Sequence, residues 1–268
     1  MGRVTAVILP ILPNAEFTPY RINPFKTWLV VVAVSAISYG SYVLLSVTKE
    51  RSSVMLSAIL GGAYSSTATT VALAKRAAQE QRPYLFSGGI LMASGVMYLR
   101  LAVLLALFNR VLFARLVVPL IVLACIGGLG GWLWSNLRAQ VAEESKREYH
   151  PRNPLELRAA VFFAAVFVAV LVLTRLTVAH LGKTGIYGLA SLIGFMDVDP
   201  FVLGVAQSAG TFTPLSSAAA SVLIAAASNN LAKGIYAFAF SDPATGRRSL
   251  ALLCGLGVAG LIPLWLMS

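Results

Sequence analysis

The stretch Gly61-Gly-Ala-Tyr-Ser-Ser-Thr-Ala-Thr-Thr70 lies inside an apolar run, Val54 to Ala74, that is long enough to cross a lipid bilayer. Two adjacent glycines are unfavourable there, because glycine weakens a helix interior by about 1 kcal/mol relative to alanine. The five serine and threonine hydroxyls need internal partners or a water-filled cavity if they lie in hydrocarbon. We therefore expect this segment to line something polar inside the membrane.

The composition of the whole chain indicates an integral membrane protein. Of the 268 residues, 58% are hydrophobic and only 12% are charged, whereas soluble domains carry about 25% charged residues. The net charge of +11 does not indicate nucleic-acid binding, because the basic residues fall mostly between apolar runs. Cys125 and Cys254 lie inside apolar runs and define neither a disulfide nor a metal framework. No cofactor is predicted, and a metal site is left open.

Continuous apolar runs of about twenty residues predict transmembrane helices and not the short alternating strands of a barrel. We place eight such helices: Trp28–Val47, Val54–Ala74, Leu85–Phe108, Leu112–Trp134, Arg158–His180, Ile186–Ala209, Leu215–Phe240 and Leu250–Leu266. They divide the chain into an N-terminal segment (1–27), a first four-helix repeat (28–134), a polar connecting loop (135–157) and a second four-helix repeat (158–268).

The two halves are related by a shift of 133 residues. This shift carries Leu56–Gly61 onto Leu189–Gly194 and Arg100 onto Lys233. Four spans per half predict parallel repeats, with both termini on one side. That side carries eleven lysines and arginines against eight on the other, which favours cytoplasmic termini.

The second and sixth helices are predicted to break near the middle of the membrane. Asp199 precedes Pro200, and a residue before proline is pushed out of the helical region. We expect a helix to restart at Pro200 with Asp199 as its N-cap. The repeat predicts the same for Ser66, capping a helix that restarts at Thr67. Both half-helix N-termini, with their partial positive charge, would then face the membrane interior.

These patterns define the candidate site. The predicted ion-binding residues are Asp197, Asp199, Ser65, Ser66, Thr67, Thr69, Thr70, Asn229 and Asn230, with Arg100 and Lys233 as charge partners and Gly61, Gly62, Gly194 and Pro200 at the helix breaks. Plainer interpretations stay open. The two cations could snorkel, the hydroxyls could pack helices together, the asparagines could link helices, and the aspartates could form a structural ion pair.

The segment 61–76, together with residues 194–199 and 225–233, resembles a family of bacterial and archaeal membrane proteins built on a domain of unknown function. The resemblance covers the chain from about Ile8 to its C-terminus. It implies a multi-pass protein of the cytoplasmic membrane. Members of the family often follow an MgtC/SapB-type membrane domain, which the resemblance suggests as a partner. The present sequence departs from that pattern, and no activity can be transferred.

Two functions are compatible with this sequence. The first is a transporter or channel for a small ion, with a cation or proton favoured by carboxylate, hydroxyl and amide oxygens; the helix N-termini, Arg100 and Lys233 would instead suit an anion. The second is a non-transporting membrane module that regulates or docks a partner. An enzyme is not predicted, because neither a Gly-x-Ser-x-Gly nor a His-Glu-x-x-His motif occurs. Glycine- and alanine-rich helices favour a homo-oligomer.

Overall fold

A computed structural model of the chain describes residues 11–15, 23–47, 53–137 and 157–267. The helices in these ranges are α1 (Pro24–Val47), α2 (Val54–Glu80), α3 (Pro83–Phe108), α4 (Arg110–Asn136), α5 (Leu157–Met196), α6 (Val198–Ser208), α7 (Leu215–Phe240) and α8 (Pro243–Met267). Most of the predicted N-terminal segment and of the polar connecting loop lies outside the described residues.

The chain is a helical membrane protein. In the described ranges, four helices are long and apolar enough to cross a membrane, or five if the two parts of α5, bent by 77°, form one span. The four are Pro83–Phe108, Arg110–Asn136, Leu215–Phe240 and Pro243–Trp265. Helices α1 and α2 also cover the first and second predicted spans, but the total of eight passes stays a prediction.

The fifth and sixth predicted spans are joined in the structure. They share the long helix α5, which is interrupted at Gly182 with φ 57° and ψ −141°. This left-handed conformation favours glycine, and no atom lies within 4 Å of the position that a Cβ would take. The helix then ends at Met196, and the chain continues into the short helix α6.

The predicted parallel arrangement of the two halves is wrong, because α3 and α7 run in opposite directions. Lys75 Nζ lies 5.4 Å from the centre of the Phe240 ring, so α7 ends close to the C-terminal part of α2. The Arg248 guanidinium lies 4.6 Å from the ring centre of Tyr84, at the start of α3. One end of the bundle therefore holds both the α2–α3 turn and the α7–α8 turn.

The other end of the bundle holds the turn between α3 and α4. There the Asn109 side chain donates from Nδ2 to the backbone carbonyl of Ala206, at 2.8 Å, so α6 ends beside the point where α3 ends. The charge count that favoured cytoplasmic termini is overturned by the same geometry. It assigned Arg247 and Arg248 to the face opposite Lys75, whereas Arg248 lies at the same end as that lysine.

Helix bounds in the two halves nevertheless follow a common spacing. Helices α3 and α7 each contain 26 residues. Their first residues, Pro83 and Leu215, are 132 positions apart, as are their last residues, Phe108 and Phe240. The next helices are capped in the same way: Asn109 accepts from Leu112 N at the start of α4, and Asp242 accepts from Thr245 N at the start of α8. The sequence shift of 133 residues was thus one residue too large for the helix pair α3 and α7.

Candidate functional site

Helix α2 is broken at Ser65, which has an extended backbone (φ −161°, ψ 107°). The Ser65 hydroxyl accepts a hydrogen bond from Ala68 N at 3.3 Å, so Ser65 is the N-cap of the second half of the helix. The prediction had placed the cap at Ser66 and was one residue off, because either serine can serve as a cap. The second half of α2 therefore begins at Ser66.

The α5–α6 break has the same form. Asp197 is extended (φ −158°, ψ 126°), and its carboxylate accepts from Asp199 N at 3.2 Å. Asp197 is thus the N-cap of α6, and the prediction that Asp199 caps a helix starting at Pro200 is wrong. Asp199 and Pro200 both lie within the first turn of α6, where proline is tolerated because the first N–H groups have no helical partner.

The predicted hinge glycines lie inside helical turns, away from the breaks. A Cβ on Gly62 would come within 2.9 Å of Ala93 Cα, and one on Gly194 within 2.4 Å of the Ala225 carbonyl oxygen. A Cβ on Gly61 would meet the Thr69 hydroxyl at 2.6 Å. These glycines therefore permit close packing of the broken helices.

A cavity of about 490 Å³ lies where the two breaks meet. The first turns that follow both breaks contribute to its wall, so both half-helix N-termini adjoin it. Its lining consists of Val34, Ser35, Gly62, Tyr64, Ser65, Ser66, Thr67, Ala68, Val71, Met97, Arg100, Met196, Asp197, Val198, Asp199 and Asn229. Eight predicted residues are among them: Gly62, Ser65, Ser66, Thr67, Arg100, Asp197, Asp199 and Asn229.

Arg100 connects the two breaks. Its guanidinium forms an ion pair with the buried Asp199 carboxylate of α6. It also donates to the carbonyl oxygens of Tyr64 and Ala63, at 3.0 and 3.4 Å. These carbonyls end the first half of α2, where the helix dipole favours a cation. Arg100 therefore does not snorkel, and the structural ion pair left open for the aspartates is found at Asp199.

Asn229 makes the corresponding contact at the second break, although it is not the counterpart of Arg100 in sequence. Its Nδ2 donates to the Gly194 carbonyl oxygen at 2.9 Å, near the end of α5. The neighbouring Ser228 hydroxyl donates to the Ser191 carbonyl at 2.6 Å. Asn229 is 2% exposed, and its Oδ1 has no hydrogen-bond partner in the described part of the chain. A buried acceptor oxygen is therefore left without a described partner on a residue that lines the cavity.

Asp197 differs from Asp199 in its surroundings. It is exposed at the cavity, whereas Asp199 is buried. Among the residues that the structure describes, no lysine, arginine or histidine lies within ion-pair distance of the Asp197 carboxylate. Arg100 is paired with Asp199, so Asp197 is the carboxylate of the lining that is exposed and has no direct ion-pair partner among the described residues.

Several predicted residues are not part of the lining. Thr69 and Thr70 are buried between helices, and the Thr70 hydroxyl donates to the Ser66 carbonyl at 2.8 Å. Asn230 donates to the Tyr98 hydroxyl at 2.8 Å. Lys233 is fully buried, and its Nζ contacts Ser94 Oγ at 3.3 Å and Met97 Sδ at 3.2 Å. Gly61, Gly194 and Pro200 are likewise absent from the wall. For Thr70 and Asn230, the packing and helix-linking interpretations fit better.

Sequence reasoning missed the apolar part of the wall. Val34 and Met97 line the cavity, but each lies within an apolar run and carries no distinguishing signal. In the described ranges, no group of three or more histidine, cysteine, aspartate or glutamate side chains could hold a metal ion.

A helical membrane protein with two interrupted helices around a polar cavity is the class that this geometry defines. The chain belongs to the family described as Domain of unknown function (DUF4010), whose model matches residues 32–241. It is similar to an uncharacterized protein of Aquifex aeolicus (strain VF5), with 29% identity over 203 residues that cover 72% of this chain and 85% of the relative. No solved structure matches the chain. The association with an MgtC-type domain is not tested by these matches.

Proposed function

We propose that this protein transports a small ion across the membrane and binds it in the cavity between the two helix breaks. One observation carries the proposal: the Asp197 carboxylate is exposed in a cavity inside the helical bundle without an ion-pair partner among the described residues. A carboxylate inside a membrane is energetically costly, and such residues commonly mark an ion pathway. Helix breaks that meet in the membrane interior are a common way for transporters to build a binding site.

The cavity favours a proton or a small cation as the transported ion. The Arg100 guanidinium already forms an ion pair with Asp199 and donates a hydrogen bond to the Tyr64 carbonyl. The other polar groups of the lining that could bind an ion carry acceptor oxygens. They are the Asp197 carboxylate, the unpaired Oδ1 of Asn229 and the Thr67 hydroxyl. Oxygen donors of this kind suit hard cations. With one unpaired carboxylate, the site fits a proton or a monovalent ion better than a divalent ion.

We further propose that the two halves form an inverted repeat. Supporting this, Ser65 and Asp197 are 132 residues apart, as are the glycine pair Gly62 and Gly194 at the close contacts. The antiparallel course of α3 and α7 matches the inverted-topology repeats of many transporters. A bacterial or archaeal cytoplasmic membrane is the location proposed with this function, and self-association stays a prediction.

Flux measurements in proteoliposomes test the transport function. The wild-type chain is reconstituted, and H⁺, Na⁺, K⁺, Mg²⁺ and Cl⁻ movements are followed down imposed gradients, with protein-free liposomes as the baseline. We expect flux of H⁺ or of a monovalent cation and none of Cl⁻. Folded protein that moves none of these ions would overturn the proposal and would favour a non-transporting regulatory module.

A further inference from the structure

The cavity wall is built from positions that correspond in the two halves. Five pairs of lining residues are each separated by 132 positions, the spacing that also relates α3 to α7. The pairs are Tyr64 and Met196, Ser65 and Asp197, Ser66 and Val198, Thr67 and Asp199, and Met97 and Asn229. Both halves therefore contribute equivalent backbone to the site, although the side chains differ.

One contact locates the axis that relates the halves. The Asn230 side chain donates to the Tyr98 hydroxyl at 2.8 Å, and these two buried residues are themselves 132 positions apart. Residues that contact their own counterparts lie at the symmetry axis. Since α3 and α7 are antiparallel, this axis is expected to lie in the membrane plane, as in transporters with inverted repeats.

The rest of the wall breaks this symmetry. Ser35, Ala68 and Val71 of the first half line the cavity. Their counterparts in the second half are Phe167, Pro200 and Leu203, which are buried in helix contacts away from it. The two halves thus have different conformations around a common pair of helix breaks.

The two cationic side chains, Arg100 and Lys233, also differ between the halves. Arg100 reaches the Tyr64 carbonyl and Asp199. Lys233, one residue beyond the position equivalent to Arg100, is fully buried, and its Nζ contacts the Ser94 hydroxyl and the Met97 sulfur. An ammonium group offers three donors, and a thioether is a weak acceptor. Both Asp199 and Asp197 attract it electrostatically.

We infer that the protein has a second state in which the second half takes the conformation now seen in the first. In that state Phe167, Pro200 and Leu203 line the pathway, and Lys233 binds the end of α5 as Arg100 now binds the end of the first half of α2. This inference rests on the proposed function and makes the protein a carrier with alternating access. In one state the cavity extends toward one end of the bundle, and in the other state it extends toward the opposite end.

Cysteine accessibility tests the second state directly. In a background with Cys125→Ala and Cys254→Ala, Val71→Cys and its counterpart Leu203→Cys are each reconstituted and treated with a membrane-impermeant thiol reagent from either side. We expect Val71→Cys to react from one side only and Leu203→Cys from the opposite side only. Ala68→Cys and Pro200→Cys form a second matched pair, should Leu203→Cys fold poorly.

The outcomes separate this inference from the proposed function. If both Leu203→Cys and Pro200→Cys stay unreactive from both sides in folded protein, the second state is wrong, even if ion flux is found; a channel would then remain. If they react from the opposite side while no ion is moved, the second state holds and the transport function is wrong.

Discussion

The two helix breaks have the same backbone but different chemistry. At the first break the cap is the neutral Ser65, and the preceding carbonyls are held by Arg100. At the second break the cap is the acidic Asp197, and the preceding carbonyl is held by the neutral amide of Asn229. The Arg100 guanidinium at the first break forms an ion pair with the carboxylate of Asp199, which follows the second break. The comparison teaches that one aspartate of the Asp197–Asp199 pair is buried in an ion pair, whereas the other is exposed at the cavity.

The largest expected effect distinguishes these two aspartates by stability. Asp199→Asn removes the counter-ion of a buried arginine, and breaking a buried ion pair costs about 3–5 kcal/mol. Asp197→Asn keeps a capping side chain, because asparagine caps as well as aspartate, and its cost is expected to stay below about 1 kcal/mol. Thermal unfolding in detergent measures both.

A second pair of substitutions checks the ion-pair explanation. If Asp199→Asn is destabilising because Arg100 loses its partner, then adding Arg100→Met should restore part of the lost stability. Equal destabilisation by Asp197→Asn and Asp199→Asn would contradict the different roles of the two carboxylates.

The close glycine contacts give the next largest effect. Gly194→Ala places a Cβ 2.4 Å from a backbone oxygen of α7, whereas Gly62→Ala places one 2.9 Å from the backbone of α3. Overpacking costs about 1–3 kcal/mol, and we expect Gly194→Ala to be the more damaging of the two. Gly188→Ala is the control, because no atom lies within 4 Å of its added Cβ. A greater loss of thermal stability in Gly188→Ala than in Gly194→Ala would refute the packing role.

The smallest expected effect concerns the neutral cap. Ser65→Ala removes the acceptor for Ala68 N, and loss of such a cap costs about 1 kcal/mol. Ser65→Asn should retain most of the stability, since asparagine also caps. Unfolding midpoints of the two variants measured side by side decide the point, and identical midpoints would argue against capping by Ser65.

Sequence reasoning located the helix breaks to within one or two residues, because Ser65-Ser66 and Asp197-Val198-Asp199-Pro200 carry strong capping and proline signals. It could not choose among adjacent capping residues, since a side chain at either position can accept a hydrogen bond from the first N–H groups of the helix that follows. It also could not fix the direction of α7. The direction of α7 depends on how the chain crosses the membrane before Leu215. In that region two predicted spans belong to one long helix, α5, with a kink at Gly182.

The burial of Lys233 was equally hard to predict. Its sequence position suggested a partner of the site, but Lys233 is absent from the lining and its Nζ contacts Met97, which lines the cavity. A contact between helices that are far apart in the sequence cannot be predicted from the composition or spacing of either segment.

Ion flux through a matched pair of variants tests the central claim most directly. Asp197→Asn removes the exposed carboxylate, whereas Asp242→Asn removes a carboxylate that caps α8 away from the cavity. In proteoliposomes containing equal amounts of folded protein, we predict that Asp197→Asn loses most of the ion flux, because the carboxylate proposed to bind the ion is removed. Asp242→Asn should transport like the wild-type chain. Wild-type flux in Asp197→Asn would contradict the assignment of Asp197 as the ion-binding residue.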